Sequence, residues 1–502
     1  MSGGAWPEAV TALLWLALCA LLWRAPLTHD VVWQLWIARQ LVHGAQLYRD
    51  ILEINPPLWF WSAMPVQHLA ALLGVPAVRV MSVAVFLLIG LTLVHLSALN
   101  RQLAAPRRVG LLLLALAALV VVPISDFGQR EHLALIGALP YALLLARRVE
   151  GRPVSPWLAV SIGLLAAYGF ALKHYFVAVP VALELWLFWR GRQHWRPVRP
   201  ETLVLAVCAA LYVAAVLILT PDFLGTIVPL VRVAYGGYEN PIGYLLLKPW
   251  IAGWLLTAWV AWRLRAHLSA DGKAVLLVAA AFLLGYVAQQ KGWRYHALAV
   301  SGACTFAVGL CIVHWQGSFR ALLSHPLAVV APALFVALGL FWGPYDNPYA
   351  RDMRAALSLA RPGEPVALLA VNPSLAWPMV DDAGLAWNSR YFSYWMLPAI
   401  YRARPDDTNY ADVQRLKADI LRQAREDYTC HPPQLIVVDD LRKSASMVAT
   451  GKTHLLDFFR QDPVLRDLFA TYRPVRQVGR FLVLAPTRAL PPGGSPGCRP
   501  IY

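Results

Sequence analysis

The sequence predicts a polytopic α-helical membrane protein that carries a small α/β domain at its C-terminal end. Three observations support this fold class. The composition is 59% hydrophobic and only 14% charged, long apolar runs recur through residues 1–345, and strand-like patterns appear only after them. We expect residues 1–345 to form a transmembrane domain and residues 346–502 to form the α/β domain.

Apolar runs that approach the thickness of a bilayer predict about 11 transmembrane helices. The shorter runs have the least certain ends, because a run of about 15 residues only just spans the hydrocarbon core when helical. The runs lie at about 9–23, 78–98, 109–124, 132–146, 157–172, 175–189, 202–220, 249–262, 274–289, 297–314 and 326–343.

The loops that follow the even-numbered runs are basic, and this predicts the orientation of the chain. Short basic loops stay in the cytoplasm, so we expect a cytoplasmic N-terminus and a periplasmic tail in a bacterial inner membrane. The net charge of +16 therefore reflects orientation in the lipid bilayer and does not indicate nucleic-acid binding, which needs a basic stripe. The loop residues are Arg101, Arg107, Arg108, Arg147, Arg148, Arg152, Arg190, Arg192, Arg196, Arg199, Arg263, Arg265 and Lys273.

The first outer loop, about 24–77, is long enough to hold structure of its own. In "THDVVWQLWIARQLVHG", Asp30 is a suitable N-cap, apolar residues share one face, and Gly44 is a natural stop. Pro56 and Pro57 then turn the chain before a second apolar piece. We expect two helices that lie in the plane of the membrane surface.

The tail shows buried-strand patterns in "PVALLAV", "QLIVVDD" and "RFLVLAP", and helical spacing at 408–427 and 453–470. Cys430 and Cys498 are the only cysteines in this tail. An oxidising compartment outside the membrane would allow a disulfide between them.

Ionisable residues gather in four of the predicted outer turns, while the predicted spans hold few charges. Charge beside the hydrocarbon core is costly and usually functional, so this pattern predicts a polar site at the outer face. Each residue also has a structural interpretation, such as a helix cap, a local ion pair or a snorkelling lysine. The residues are His29, Asp30, Asp50, Glu53, Asp126, Arg130, Glu131, His132, Lys173, His174, Lys291, Arg294 and His296.

The first outer loop resembles that of the GT-C glycosyltransferases, in particular protein O-mannosyltransferases and lipid A aminoarabinose transferases. The resemblance rests on an early Asp, on "GAQLYRD" from Gly44 to Asp50, and on an acid followed by "NPPL". "FGQREH" and "QKGWRYH" also look like segments of bacterial members. The resemblance implies a polyprenyl-phosphate sugar donor and a catalytic Asp at Asp30, and an acid of the second outer loop maps to Asp126 or Glu131. Many relatives have Asp-Glu where this chain has Asp30 and Val31.

The chemistry of the residues is compatible with sugar transfer. An ionised Asp30 can take the proton of an acceptor hydroxyl, and cations can stabilise the leaving phosphate. We expect Lys173, Lys291, Arg294 and His296 to bind the lipid phosphate. The remaining candidates on the substrate side are His29, Asp50, Glu53 and Arg130.

The acids of the second outer turn allow two interpretations. Asp126, Glu131 and His132 could hold a divalent ion, Mg²⁺ or Mn²⁺, because carboxylates and imidazole are competent ligands. They could instead form an ion-paired turn that supports Asp30.

The function that these patterns favour is transfer of a sugar from a polyprenyl phosphate to a hydroxyl of a membrane glycolipid, glycan or protein, with inversion at the anomeric carbon. A flippase for a lipid-linked saccharide is an alternative, but it would place polar residues along the spans, which offer little beyond Glu184. A ligase or polymerase that uses diphosphate-linked oligosaccharides is the nearest alternative among enzymes. In a structural scaffold, the outer ionisable residues would be individually dispensable.

Overall fold

The computed structural model describes residues 6–235, 238–266, 268–314, 326–488, 490 and 498. Residues 1–5 of the first predicted domain, and residues 489, 491–497 and 499–502 of the second, lie outside the described part. The chain divides into two compact units, one of Met1–Leu27, His68–Ala215 and Asn240–Asp346, the other of Thr28–Gln67, Val216–Glu239 and Asn347–Tyr502. From the sequence we expected two contiguous domains, whereas both units combine separate segments, and the boundary at 345/346 stays a prediction.

The regular secondary structure described in the first unit is entirely helical. Two helices, Leu58–Leu73 and Pro200–Leu219, have residues in both units. The other α-helices of the first unit are Trp6–Leu22, Ala77–Leu99, Ala105–Leu116, Arg130–Val149, Pro156–Ala171, Ala178–Arg190, Ile242–Leu246, Pro249–Arg263, Ala270–Gln289, Arg294–Val313 and Pro326–Trp342, joined by a π-helical turn at Ala117–Val121 and 3₁₀ turns at Ile124–Asp126 and His174–Val177.

Length and composition make the chain a multi-pass membrane protein. Among the described residues, 5 helices are long and apolar enough to cross a bilayer: Ala77–Leu99, Arg130–Val149, Pro200–Leu219, Ala270–Gln289 and Arg294–Val313. Shorter apolar helices are Trp6–Leu22, Pro156–Ala171, Phe223–Tyr235 and Val330–Trp342. The predicted number of 11 spans is not confirmed.

Two helices form the interior of the first unit and carry much of the predicted site. In Arg130–Val149 and Arg294–Val313, 89% of the most apolar window is buried, against 6% in Pro200–Leu219. Small residues allow the close packing: a Cβ on Gly137 would lie 2.7 Å from the carbonyl oxygen of Leu165 in the neighbouring helix. The site residues of both interior helices lie in their first turns.

The second unit begins with the predicted helix of the first outer loop, which spans His29–Val42. The expected N-cap is wrong, because Thr28 holds the N-cap position and Asp30 lies inside the first turn. The expected stop is right, since Gly44 follows the C-cap with a positive φ of 97°. A π-helical turn at Phe223–Ile227 and the helix Val228–Tyr235 also belong to this unit.

The tail of the second unit forms a mixed five-stranded sheet, which confirms the predicted α/β character. The strands are β1 (Pro365–Leu369), β2 (Ala386–Trp387), β3 (Leu435–Asp439), β4 (Tyr472–Val478) and β5 (Phe481–Pro486), in the order β2-β1-β3-β5-β4. β1 pairs in parallel with β2 and β3, while β5 pairs antiparallel with β3 and β4. The parallel step from β1 to β3 contains the long helix Tyr410–Cys430, as such a crossover requires.

The shorter elements of the tail connect these strands. They are the helices Ala350–Leu357, Met379–Asp382, Leu397–Arg402, Leu456–Phe459 and Pro463–Ala470, with 3₁₀ turns at Pro373–Leu375, Leu441–Lys443 and Val448–Thr450. A disulfide joins Cys430, at the end of the long helix, to Cys498.

Candidate active site

A buried ion pair organises the polar residues of the first unit. The ammonium group of Lys173 lies 2.6 Å from Glu131 Oε1, and the two side chains are 9% and 1% exposed. Lys173 also donates to Gln289 Oε1 at 3.4 Å and lies 5.3 Å from the centre of the Tyr295 ring. His296 Nε2 is 4.0 Å from the same oxygen of Glu131. Two predicted phosphate ligands, Lys173 and His296, thus meet at one carboxylate.

Three buried cations lie near His296. Arg130, Lys173 and Lys291 are all buried, and each lies close enough for its charge to act on the imidazole ring of His296. Arg130 begins one interior helix, and His296 lies in the first turn of the other. Backbone N–H groups and the helix dipole favour anions at such ends, so both helices contribute to a region suited to negative charge.

Arg294 and Asp126 form a second pair beside this region. Arg294 Nε lies 3.1 Å from Asp126 Oδ2, and the same oxygen accepts a hydrogen bond from the hydroxyl of Ser125 at 2.7 Å. The guanidinium group of Arg294 lies 5.3 Å from the centre of the Trp342 ring. Both residues line a mostly apolar pocket, together with Trp250 and Phe335.

His132 does not have the role of a metal ligand that the sequence allowed. Its Nε2 lies 2.7 Å from the carbonyl oxygen of Leu119, and its Nδ1 accepts from the backbone N–H of Gly128 at 3.1 Å. Both ring nitrogens are therefore used by the backbone, and His132 fixes the turn that precedes its helix. Since Asp126 is paired with Arg294, the set Asp126, Glu131 and His132 does not fit a divalent ion. Within the described part of the chain, no group of three His, Cys, Asp or Glu residues is placed to hold a metal ion.

The turn that carries Lys291 has a specific backbone shape. Gln290 and Gly292 both have positive φ, at 50° and 64°. The backbone N–H of Asn240 donates to the carbonyl oxygen of Gln290 at 2.9 Å. The side-chain amide of Asn240 donates to the carbonyl oxygen of Lys291 at 3.3 Å. A Cβ on Gly292 would lie 3.1 Å from Lys248 Cε. The turn that carries Lys291 is therefore fixed by hydrogen bonds from Asn240 and lies close to Lys248.

In the second unit, the predicted catalytic acid is only partly shielded. The Asp30 side chain is 15% exposed, and its Oδ1 lies 3.5 Å from Nε2 of His29. The His29 ring stacks on Phe392 of the tail, with ring centres 6.2 Å apart. Asp30 thus lies in the first turn of its helix, next to a His29 ring that packs against the tail.

We expected Glu53 and Asp50 on the substrate side, but the carboxylates of both accept hydrogen bonds from residues of their own unit. Glu53 is 4% exposed and accepts hydrogen bonds from the Trp33 indole at 2.7 Å and from the Asn55 side chain at 2.6 Å. Asp50 accepts from the backbone N–H of Gln46 at 2.7 Å, which closes the turn of the "GAQLYRD" segment. The contacts of both acids are therefore those of residues that shape the loop.

The fold of the chain is similar to that of a solved glycosyltransferase. ArnT from Cupriavidus metallidurans, solved with bound undecaprenyl phosphate, aligns over 94% of this chain and 97% of that chain, with a TM-score of 0.55 and 12% sequence identity. The chain has the GT-C fold. The archaeal oligosaccharyltransferase AglB from Archaeoglobus fulgidus, in complex with an inhibitory peptide and a dolichol phosphate, aligns over 93% of this chain and 72% of that chain, with a TM-score of 0.46 and 12% identity. No protein-family model and no curated protein matches the sequence.

Three residues contact the cations of the site without having been singled out from the sequence. Gln289 and Tyr295 contact Lys173, and both stand in the segment "QQKGWRYH", so proximity to Lys291 was a usable signal. Trp342 contacts Arg294 from the end of a distant helix. No local pattern distinguishes Trp342 from the many tryptophans expected at a membrane interface.

Proposed function

We propose that this protein is an inverting glycosyltransferase of the bacterial inner membrane, with 11 membrane spans and a periplasmic tail. It moves a hexosyl or pentosyl group from a polyprenyl-phosphate donor to a hydroxyl of a lipid, glycan or protein acceptor at the periplasmic face. The GT-C fold supports a membrane glycosyltransferase in general. The chemistry of the buried cations supports this donor class.

The single observation that carries the proposal is the set of buried cations around His296. Lys173, Lys291 and Arg130 are each at most 8% exposed, and cations held in place in a buried site stabilise negative charge more strongly than cations in water do. A lipid phosphate lies at the depth of the headgroups, which is where polar groups just outside apolar helices are expected. Arg130 can bind two phosphate oxygens through its planar guanidinium group, and the lysines act as compact charges.

Asp30 is proposed as the general base. It accepts the proton of the acceptor hydroxyl while the acceptor oxygen bonds to the anomeric carbon of the sugar. The bond from that carbon to the phosphate oxygen breaks, and its electron pair leaves with the lipid phosphate. The cations stabilise the charge that develops on this oxygen. A single displacement inverts the anomeric configuration.

The proposal is tested by sugar transfer in proteoliposomes that contain the full-length protein, radiolabelled polyprenyl-phosphate sugars and a membrane glycolipid extract. We expect Asp30→Asn and Lys291→Ala each to lower kcat/KM at least about a hundredfold, within the range seen for removing one general base or one electrostatic donor. Matched controls are Lys273→Ala and Asp382→Asn, which change exposed residues and should leave transfer unchanged.

Two results would overturn the proposal. Full activity in both Asp30→Asn and Lys291→Ala would show that these residues do not form the site. Movement of labelled lipid across the bilayer without any sugar transfer would identify a flippase instead.

A further inference from the structure

Glu53 is a fully engaged acceptor inside the first outer loop. Its Oε1 accepts from the backbone N–H groups of Ile54 and Asn55 at 2.8 and 3.0 Å and from the Asn55 side chain at 2.6 Å. Its Oε2 accepts from the indole N–H of Trp33 at 2.7 Å. Hydrogen bonds to an ionised carboxylate are stronger than neutral ones, so Glu53 ties the turn before Pro56 to the helix of Asp30.

Trp33 is held by three aromatic neighbours and one hydrogen bond. Its ring is stacked on those of Trp36 and Phe392. The ring centres are 4.6 and 4.5 Å away, and the ring planes are tilted by 7° and 13°. Trp377 packs against it at 5.0 Å. Two parallel neighbours fix the plane of an indole but allow it to slide within that plane. The hydrogen bond to Glu53 is directed along the plane, so it removes this remaining freedom.

Trp33 follows Asp30 by three positions in one helix. They therefore lie about 4.5 Å apart along the axis and about 60° apart around it. A helix that is fixed at Trp33 cannot rotate or slide without moving Asp30. We propose that Glu53 is a positioning residue, which acts through Trp33 to set the place of the Asp30 carboxylate.

This inference rests on the proposed function, because it assigns Glu53 a role in the reaction of Asp30. It also assigns different roles to two acids of the same loop, Asp30 and Glu53. Asp30 exchanges a proton with the substrate, whereas Glu53 accepts hydrogen bonds within the loop and does not touch the substrate. A displacement of about 1 Å at a reacting group can lower the rate about a hundredfold, so a small shift of the helix is sufficient for a measurable effect.

The test compares Glu53→Gln, Trp33→Phe and the double variant in the proteoliposome assay. Glu53→Gln replaces one acceptor oxygen by an NH₂ group that faces donors, and Trp33→Phe removes the indole N–H but keeps an aromatic ring. We expect kcat to fall ten- to a hundredfold in each, with KM for donor and acceptor within twofold of wild type. The double variant should be no slower than the slower single variant, because both remove the same link.

Trp254→Phe is the matched control. It removes a buried indole hydrogen bond of 3.1 Å to Ser301 Oγ in the other unit, so it reproduces the structural cost and leaves the residues of the Asp30 helix unchanged. Its kcat should equal that of wild type at equal amounts of folded protein. If Asp30→Asn abolishes transfer but Glu53→Gln and Trp33→Phe retain wild-type kcat, the positioning role is wrong and the proposed function stands. If Asp30→Asn retains transfer, the proposed function itself fails.

Discussion

The ammonium group of Lys173 lies 2.6 Å from Glu131 Oε1, and neither side chain is more than 9% exposed. Removing one partner of such a pair leaves the other charged inside the protein, which costs about 3–5 kcal/mol. We therefore expect Lys173→Met and Glu131→Gln each to lower the stability of the detergent-solubilised protein markedly. The double variant should lose much less than the sum of the two.

Thermal unfolding of the four proteins of this cycle measures the effect. The exposed pair Arg354 and Asp382, whose side chains are 60% and 54% exposed, provides the control. Its single variants should change stability by about 1 kcal/mol or less, because water screens the pair. Additive losses in the Lys173 and Glu131 cycle would contradict a buried, coupled pair.

Replacing His132 should lower the stability of the protein and leave its metal content unchanged. His132→Ala leaves the carbonyl of Leu119 and the N–H of Gly128 without their present partner, and each buried unsatisfied group costs about 1–3 kcal/mol. We expect a lower unfolding temperature, and transfer activity in EDTA equal to that without it. The exposed His68→Ala serves as the control. Loss of a bound metal ion in His132→Ala, detected by elemental analysis, would restore the metal interpretation.

The sequence predicted elements whose signal is local. "PVALLAV", "QLIVVDD" and "RFLVLAP" contain β1, β3 and β5, because continuous apolar runs bounded by turn residues identify buried strands. β2 has only two residues, and β4 is mostly exposed with Pro474 inside it, so neither shows the apolar pattern of a strand. The helix His29–Val42 was predicted with its start displaced, since Thr28 and Asp30 are both acceptable caps.

The candidate site was predictable by residue type but not by partner. Charged residues beside apolar runs identified Glu131, Lys173 and His296 from the cost of such charges near lipid. Which carboxylate pairs with which cation depends on how helices far apart in sequence pack together. Glu53 illustrates this limit, because its hydrogen bond to Trp33 depends on the chain turning back between Gly44 and Asp50.

The disulfide of the tail should lower the entropy of the unfolded chain. Cys430 and Cys498 are 68 residues apart, and closing a loop of this size is worth about 4 kcal/mol in the chain-entropy model. We expect Cys498→Ser to lower the unfolding temperature and to abolish the mobility difference between reduced and non-reduced samples on a gel. Cys208→Ser, at a half-buried free cysteine, should change neither. Two alkylatable thiols in the untreated tail would contradict the bond.

Gly292→Ala should weaken donor binding through the turn that carries Lys291. Gly292 has φ of 64°, where an L-residue is strained by about 1–2 kcal/mol. Its new Cβ would lie 3.1 Å from Lys248 Cε and 3.2 Å from the Tyr244 ring, so these side chains or the turn must move. Because Lys291 is the preceding residue, we expect KM for the polyprenyl-phosphate sugar to rise about tenfold, which corresponds to about 1.4 kcal/mol of binding free energy, while kcat changes little.

Gly363→Ala is a control that separates backbone strain from the new Cβ contacts as the cause of a raised KM. Gly363 has φ of 82°, and nothing lies within 4 Å of its Cβ position, so alanine brings the same backbone strain without a contact. It should lower stability by a similar amount and leave KM unchanged. An equal rise of KM in both variants would trace the effect to general destabilisation. A wild-type KM in Gly292→Ala would show that the shape of this turn does not control how Lys291 meets the donor.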